Sequence, residues 1–107
     1  MTTTSKLLWS LAAALLAAAP AAQADEAALT KAGCMACHAK DKKLVGPSFK
    51  EVANKYKGQD VTATLMAKVR AGGKGVYGPI PMPPNPPDKI GDAELKDSVG
   101  WILKQGG

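Results

Sequence analysis

The sequence is 107 residues long with a formal charge of +5 at pH 7, too short for two ordinary domains. Aromatic side chains make up 5% of it, which leaves little apolar material for a core. The basic surplus suits an acidic partner, and no recognition motif points to nucleic acid.

The first residues read as a processing segment. Lys6 gives a weakly positive start, Leu7 to Ala19 is an apolar run rich in Leu and Ala, and Pro20 breaks it. Ala22-Gln23-Ala24 supplies the small residues of a cleavage site. A retained membrane anchor is the competing reading, but the run is shorter than the ~20 residues that a spanning helix needs. Cleavage after Ala24 is therefore expected. Removing 24 of the 107 residues leaves Asp25 to Gly107, 83 residues, exported and periplasmic. Their aromatics are Phe49, Tyr56, Tyr77 and Trp101 alone, and so small a domain needs a staple or a cofactor to complete its core.

From Asp25 to Gly33 the Ala- and Leu-rich sequence predicts a short helix, with Asp25 and Glu26 where negative charge favours a helix start. Cys34-Met35-Ala36-Cys37-His38 follows, and it is the most informative stretch of the chain. Two cysteines three apart with a histidine directly after them form the haem-attachment pattern. The spacing has a chemical reason: each thiol adds across one vinyl group on the same porphyrin edge, and the histidine reaches the iron from one face. Cys34 and Cys37 are thus the candidate thioether anchors of one haem c, and His38 is the candidate proximal ligand. Three rival readings fit less well. A thioredoxin-like redox pair needs a βαβ context, and no strand alternation surrounds this one. A structural zinc site usually takes four Cys or His ligands, and the whole chain has three. A plain disulfide leaves His38 unexplained.

Asp41 to Gly46 reads as a loop. Pro47 suits the first turn of a second helix, with Phe49, Val52, Ala53 and Tyr56 on one stripe and Gly58 as its stop. Asp60 is the expected cap of a third helix carrying Val61, Leu65 and Val69 on one face, ended by Gly72-Gly73. Gly72 to Lys89 is 18 residues of Gly- and Pro-rich sequence that cannot form a helix interior or a central strand. A loop of that length without regular structure is functional or disordered. Asp92 opens the last helix, with Leu95, Val99, Ile102 and Leu103 on one stripe and Trp101 off it. The fold class is all-α, with roughly four short helices wrapped around one cofactor.

A haem held by one histidine is either closed by a second ligand or left open. The chain has no second histidine, so a methionine is the candidate. Met35 lies between the anchors and cannot reach the far face, and Met66 is more simply a core gap-filler. Met82 sits among prolines, 44 residues after His38, on a segment long enough to cross the cofactor. A His38/Met82 pair would raise the haem potential. An open site with Met82 unbound is the alternative at this point.

Gly33 to Ala39, Val45-Gly46-Pro47, Gly75 to Asn85 and Trp101-Ile102-Leu103 together carry a resemblance. The chain resembles the small bacterial class I cytochromes c of the cytochrome c-551 type. The resemblance implies that Met82 is the distal ligand, that the Pro47 carbonyl accepts the His38 Nδ1 proton, and that Asn85 helps to hold the Met82 sulfur. Tyr77 stands where this family often has tryptophan, and its phenol could donate to a haem propionate. Lys68 and Arg70 fall where the family places basic residues near the propionates, although solvated helix charges are an equal reading.

The implied function is one-electron carriage in the periplasm by a monomer with no membrane anchor and no catalytic site. The implied donor is a membrane cytochrome complex, and the implied acceptor is a nitrite reductase or terminal oxidase. Lys31, Lys40, Lys42, Lys43 and Lys74 are candidates for steering the partner. Three rival functions remain. An enzyme or gas sensor would need an open iron and distal acid-base groups, and Arg70 is the only arginine. A permanent subunit of a larger complex would need a large apolar surface. A haem-free redox pair would contain no iron.

Overall fold

A computed structural model describes residues 21–107, and residues 1–20 of the expected leader at 1–24 lie outside the described residues. Four α-helices run in the order α1 (Ala21–Lys31), α2 (Phe49–Lys55), α3 (Thr62–Ala71) and α4 (Asp92–Leu103), with a 3-10 turn at Cys34–Ala36. Two short strands, β1 (Gly73–Gly75) and β2 (Gly78–Met82), lie between α3 and α4. The expected all-α architecture of four helices stands, with a small antiparallel ribbon added to it.

The boundaries differ from the sequence reading in four places. The first helix is already formed at Ala21, the first described residue, rather than opening at Asp25. Pro47 precedes α2 instead of opening it. Ser48 is the cap, and its hydroxyl accepts from the Glu51 backbone N–H at 3.0 Å. Asp60 does not cap α3, because Val61 occupies that position without a side-chain bond. The Gly- and Pro-rich segment is not free of regular structure. Gly73 pairs with Met82 and Gly75 with Gly78, with an irregularity between the two pairs. Pro79 and Pro81 are tolerated because each strand of a two-stranded ribbon is an edge.

α4 is the hub, packing against α1, α2 and α3. Its Leu95 and Val99 are almost wholly buried with Ala32 and Ile90 in one apolar cluster. Burying a side chain of this kind stabilises the fold by about 1.5–3 kcal/mol. Trp101, left unplaced by the periodicity, turns to a second cluster with Leu29 and Phe49. Its ring meets Phe49 edge-on, with centroids 5.8 Å apart and planes at 82°. Cys34 packs against both clusters, so the first anchor thiol stands where the two halves of the core meet.

Candidate functional site

The 3-10 turn sets the first wall of the site. The backbone N–H groups of Cys37 and His38 both donate to the Cys34 carbonyl, at 3.2 and 3.0 Å. This tight turn brings Cys34, Cys37 and His38 onto the lining of a single cleft. The chain then folds back on itself, and Gly46 N–H donates to the Cys37 carbonyl at 2.7 Å.

His38 is fixed from three sides. Its Nδ1 lies 2.8 Å from the carbonyl oxygen of the buried Pro47, the distance at which a protonated Nδ1 donates. Phe49 stacks on the ring at 5.3 Å with an interplanar angle of 18°. Gly46 closes the remaining side so tightly that a Cβ there would sit 2.6 Å from His38 Cε1. Nε2 has no hydrogen-bond partner among the described residues. Trp101 backs Phe49 and Phe49 backs the imidazole, so α4 braces the histidine through two rings.

Met82 lines the same cleft from β2. Its backbone is held against the end of α3, where Gly72 adopts φ +68 and a Cβ would collide with the Met82 carbonyl oxygen. Asn85 is 5% exposed, and its Nδ2 donates to the carbonyls of Val69 (3.2 Å) and Pro83 (3.0 Å). Its amide protons thus hold the backbone beside Met82 rather than its sulfur. Arg70 does not line the cleft, and its side chain is only partly exposed. Its guanidinium bonds to the Asn85 and Ile90 carbonyls and to Asp92. Lys68 does line the cleft.

The cleft has a volume of about 390 Å³ and walls that are mostly apolar, including Leu65, Val69, Ile90 and Leu95. Tyr77 and Tyr56 line it as well, and the Tyr77 hydroxyl is buried without a hydrogen-bond partner among the described residues. Burial pushes the Tyr77 phenol up to about 12, helped by the Tyr56 phenol and the Glu51 carboxylate. Lys55 Nζ sits 5.9 Å from the Tyr56 ring centre and 5.8 Å from that of Tyr77. Burial also raises the Cys34 thiol, opposed by the charge on Lys89. A separate hollow of about 230 Å³ between α2 and residues 103–107 shares Tyr56 with the cleft but contains neither cysteine, nor His38, nor Met82.

A flat apolar guest with polar groups at one edge fits this lining. Two thiols and an imidazole stand ready on one wall, a thioether stands on the ribbon side, and an orphaned phenol waits among apolar neighbours. Imidazole and thioether are a known axial pair for haem iron. A metal ion alone fits poorly, since no group of three His, Cys, Asp or Glu side chains converges on one point among the described residues.

The sequence model of the cytochrome c family matches residues 24–106. The chain belongs to the cytochrome c family. It is 53% identical over 76 residues to cytochrome c2 of Rubrivivax gelatinosus, covering 70% of this chain and 89% of that protein. It is 57% identical over 72 residues to cytochrome c-551 of Azotobacter vinelandii, covering 66% and 84%. The crystal structure of wild-type Nitrosomonas europaea cytochrome c552 is similar, with a TM-score of 0.69, 40% identity, and coverage of 75% of this chain and 98% of that one. The protein is therefore a small class I cytochrome c that carries one covalently bound haem c, and its role is that of an electron carrier.

The close approach of Gly72 to residues 82–84 and the bonds of Arg70 to Asn85, Ile90 and Asp92 are contacts that the sequence reading did not single out. A glycine at the junction of a helix and a methionine-bearing ribbon was the available signal for the first. Nothing in the sequence marks the partners of Arg70.

Proposed function

We propose that the protein is a periplasmic one-electron carrier whose haem is anchored by Cys34 and Cys37 and ligated by His38 Nε2 and the Met82 sulfur. The observation that carries this reading is the shared cleft: His38 and Met82 line the same apolar space, the imidazole held by the Pro47 carbonyl and the Met82 backbone paired with Gly73. The bound haem supplies the one-electron change. Everything else falls to the chain. The Pro47 carbonyl, Phe49 and Gly46 keep the imidazole from rotating, and the ribbon keeps Met82 in place. The Tyr77 hydroxyl is available to donate to a propionate. The apolar walls exclude water, which leaves no place for a substrate with acid-base help. A carrier benefits from such a rigid site, because little has to move when its charge changes.

At the mouth of the cleft Val45, Val76 and Ile80 are among its lining residues, and they are exposed together with Leu44. Lys31, Lys40, Lys42, Lys43 and Lys74 are exposed on the same protein. A small apolar rim with basic surroundings suits brief docking to an acidic partner. The partners in this reading are a membrane cytochrome complex as donor and a nitrite reductase or terminal oxidase as acceptor, and the carrier is a monomer. The leader is removed after Ala24, a position that adjoins the start of the family match at residue 24. No helix among the described residues is long and apolar enough to cross a membrane.

Absorption spectra of the holoprotein in both redox states, with and without carbon monoxide, test the ligation. Low-spin spectra, a far-red sulfur-to-iron band in the oxidised form and no uptake of carbon monoxide are expected. A high-spin reduced form that binds carbon monoxide readily would overturn the Met82 assignment. Reduction rates with the partner should fall as ionic strength rises. Rates independent of salt would remove the lysines from the docking account.

A further inference from the structure

Arg70 connects three parts of the chain that are distant in sequence. It leaves the last turn of α3, and its Nη1 donates to the Asn85 carbonyl at 3.1 Å and to the Ile90 carbonyl at 2.7 Å. Its Nη2 donates to Asp92 Oδ1 at the start of α4. Asn85 closes the circuit: its backbone N–H returns to the Val69 carbonyl at 3.0 Å, and its side chain bonds Val69 and Pro83. Gly72 lies against the same segment, where a Cβ would come within 2.9 Å of Pro83 C and Pro84 N.

We propose that Arg70 is a positioning residue that keeps Met82 seated in the cleft by clamping residues 83–90 to the end of α3. The proposal rests on the reading of Met82 as the axial ligand. Residues 83–86 have no regular structure of their own, so the only ladder pairing next to them is Gly73 with Met82. Asn85 and Ile90 are both about nine-tenths buried or more, and their carbonyls receive charged donors from the guanidinium. Without it those carbonyls lose that donor, and the segment opens more often than the helices do. The carboxylate arm matters less, since Asp92 is 83% exposed and water screens the pair. Lysine cannot replace this fork, because its single ammonium does not span both carbonyls and the carboxylate.

The test compares holoprotein of wild type, Arg70→Met, Arg70→Lys and Asp92→Asn. Two readouts are followed: the far-red sulfur-to-iron band against far-UV helicity during heating, and carbon monoxide association by the reduced protein. Arg70→Met should lose the band at temperatures where helicity persists. Its carbon monoxide association should rise about ten- to a hundred-fold, the range expected for losing charged hydrogen bonds. Arg70→Lys should fall between it and wild type and serves if the methionine variant folds poorly. Asp92→Asn should stay within about twofold of wild type, because the carbonyl bonds remain. If both Arg70 variants lose the band only together with helicity, at the wild-type carbon monoxide rate, the clamp is overturned. A wild-type protein without the band would instead remove the Met82 reading itself.

Discussion

Replacing Gly46 with alanine puts a methyl group where the His38 ring now lies. The new Cβ would stand 2.6 Å from Cε1, 3.0 Å from Nδ1 and 3.2 Å from Nε2. Ordinary contact begins at 3.4 Å, so ring and loop must separate by most of an ångström. Neither gives way easily. The ring is backed by Phe49 and held by the Pro47 carbonyl, and the Gly46 N–H is bonded to Cys37 at 2.7 Å. Overpacking of this kind costs about 1–3 kcal/mol. In a domain of this size each kcal/mol lowers the melting temperature by about 4–8 °C. The assay is thermal unfolding of the holoprotein combined with the NMR shift of the His38 Nδ1 proton, which reports the bond to Pro47. Gly100→Ala is the control, because a Cβ there meets nothing within 4 Å. That change should stabilise α4 by about 0.5–1 kcal/mol. A Gly46→Ala protein that melts within a degree of wild type, with an unmoved Nδ1 proton, would show that the loop does not fix the imidazole.

Two further outcomes are expected. The Tyr77 phenol is held up to about 12, whereas an unfolded tyrosine titrates near 10. The folded state therefore binds more protons between these values, and stability should fall as pH rises from about 10 through about 12. Subtracting the profile of Tyr77→Phe from that of wild type isolates this leg, and a flat difference would mean that the phenol is not shielded. Both profiles are taken on the haem-bearing protein, where the same substitution should cost about 1 kcal/mol near neutral pH if the hydroxyl has found an acceptor, and a neutral result would leave it orphaned. Blocking attachment with Cys34→Ala and Cys37→Ala should leave the chain largely unfolded, because the two small clusters cannot close over the empty cleft. Wild-type far-UV circular dichroism in that variant would contradict this.

The pattern Cys34 to His38 was legible because its meaning lies in spacing along the chain. The helices at 49–55, 62–71 and 92–103 were legible from their apolar stripes, and Asp92 opens its helix as read. The ribbon was not. Its ladder is built from glycines and prolines, which signal turns, and its pairing depends on the tight turn at Val76-Tyr77, flanked by Gly75 at φ 109 and Gly78 at φ 111, rather than on any strand propensity. Trp101 was unreadable for a related reason. Periodicity assigns one face per helix, whereas α4 is buried on several sides by three neighbours. Arg70 is the clearest failure of inference from residue type. A lone arginine near a carboxylate-bearing cofactor invites an ionic role, but two buried carbonyls claim it. Backbone acceptors carry no mark in a sequence.

The pairing of α1 with α4 also bears on how the protein is made. These are the first and last helices described, so the wall behind Cys34 is finished only after residues 92–103 have emerged and returned. Closing so long a loop is entropically slow compared with winding a local helix. During that interval the two thiols lie open on a half-built surface. Topology thus leaves a window in which the cofactor can reach both thiols before the last helix seals the wall.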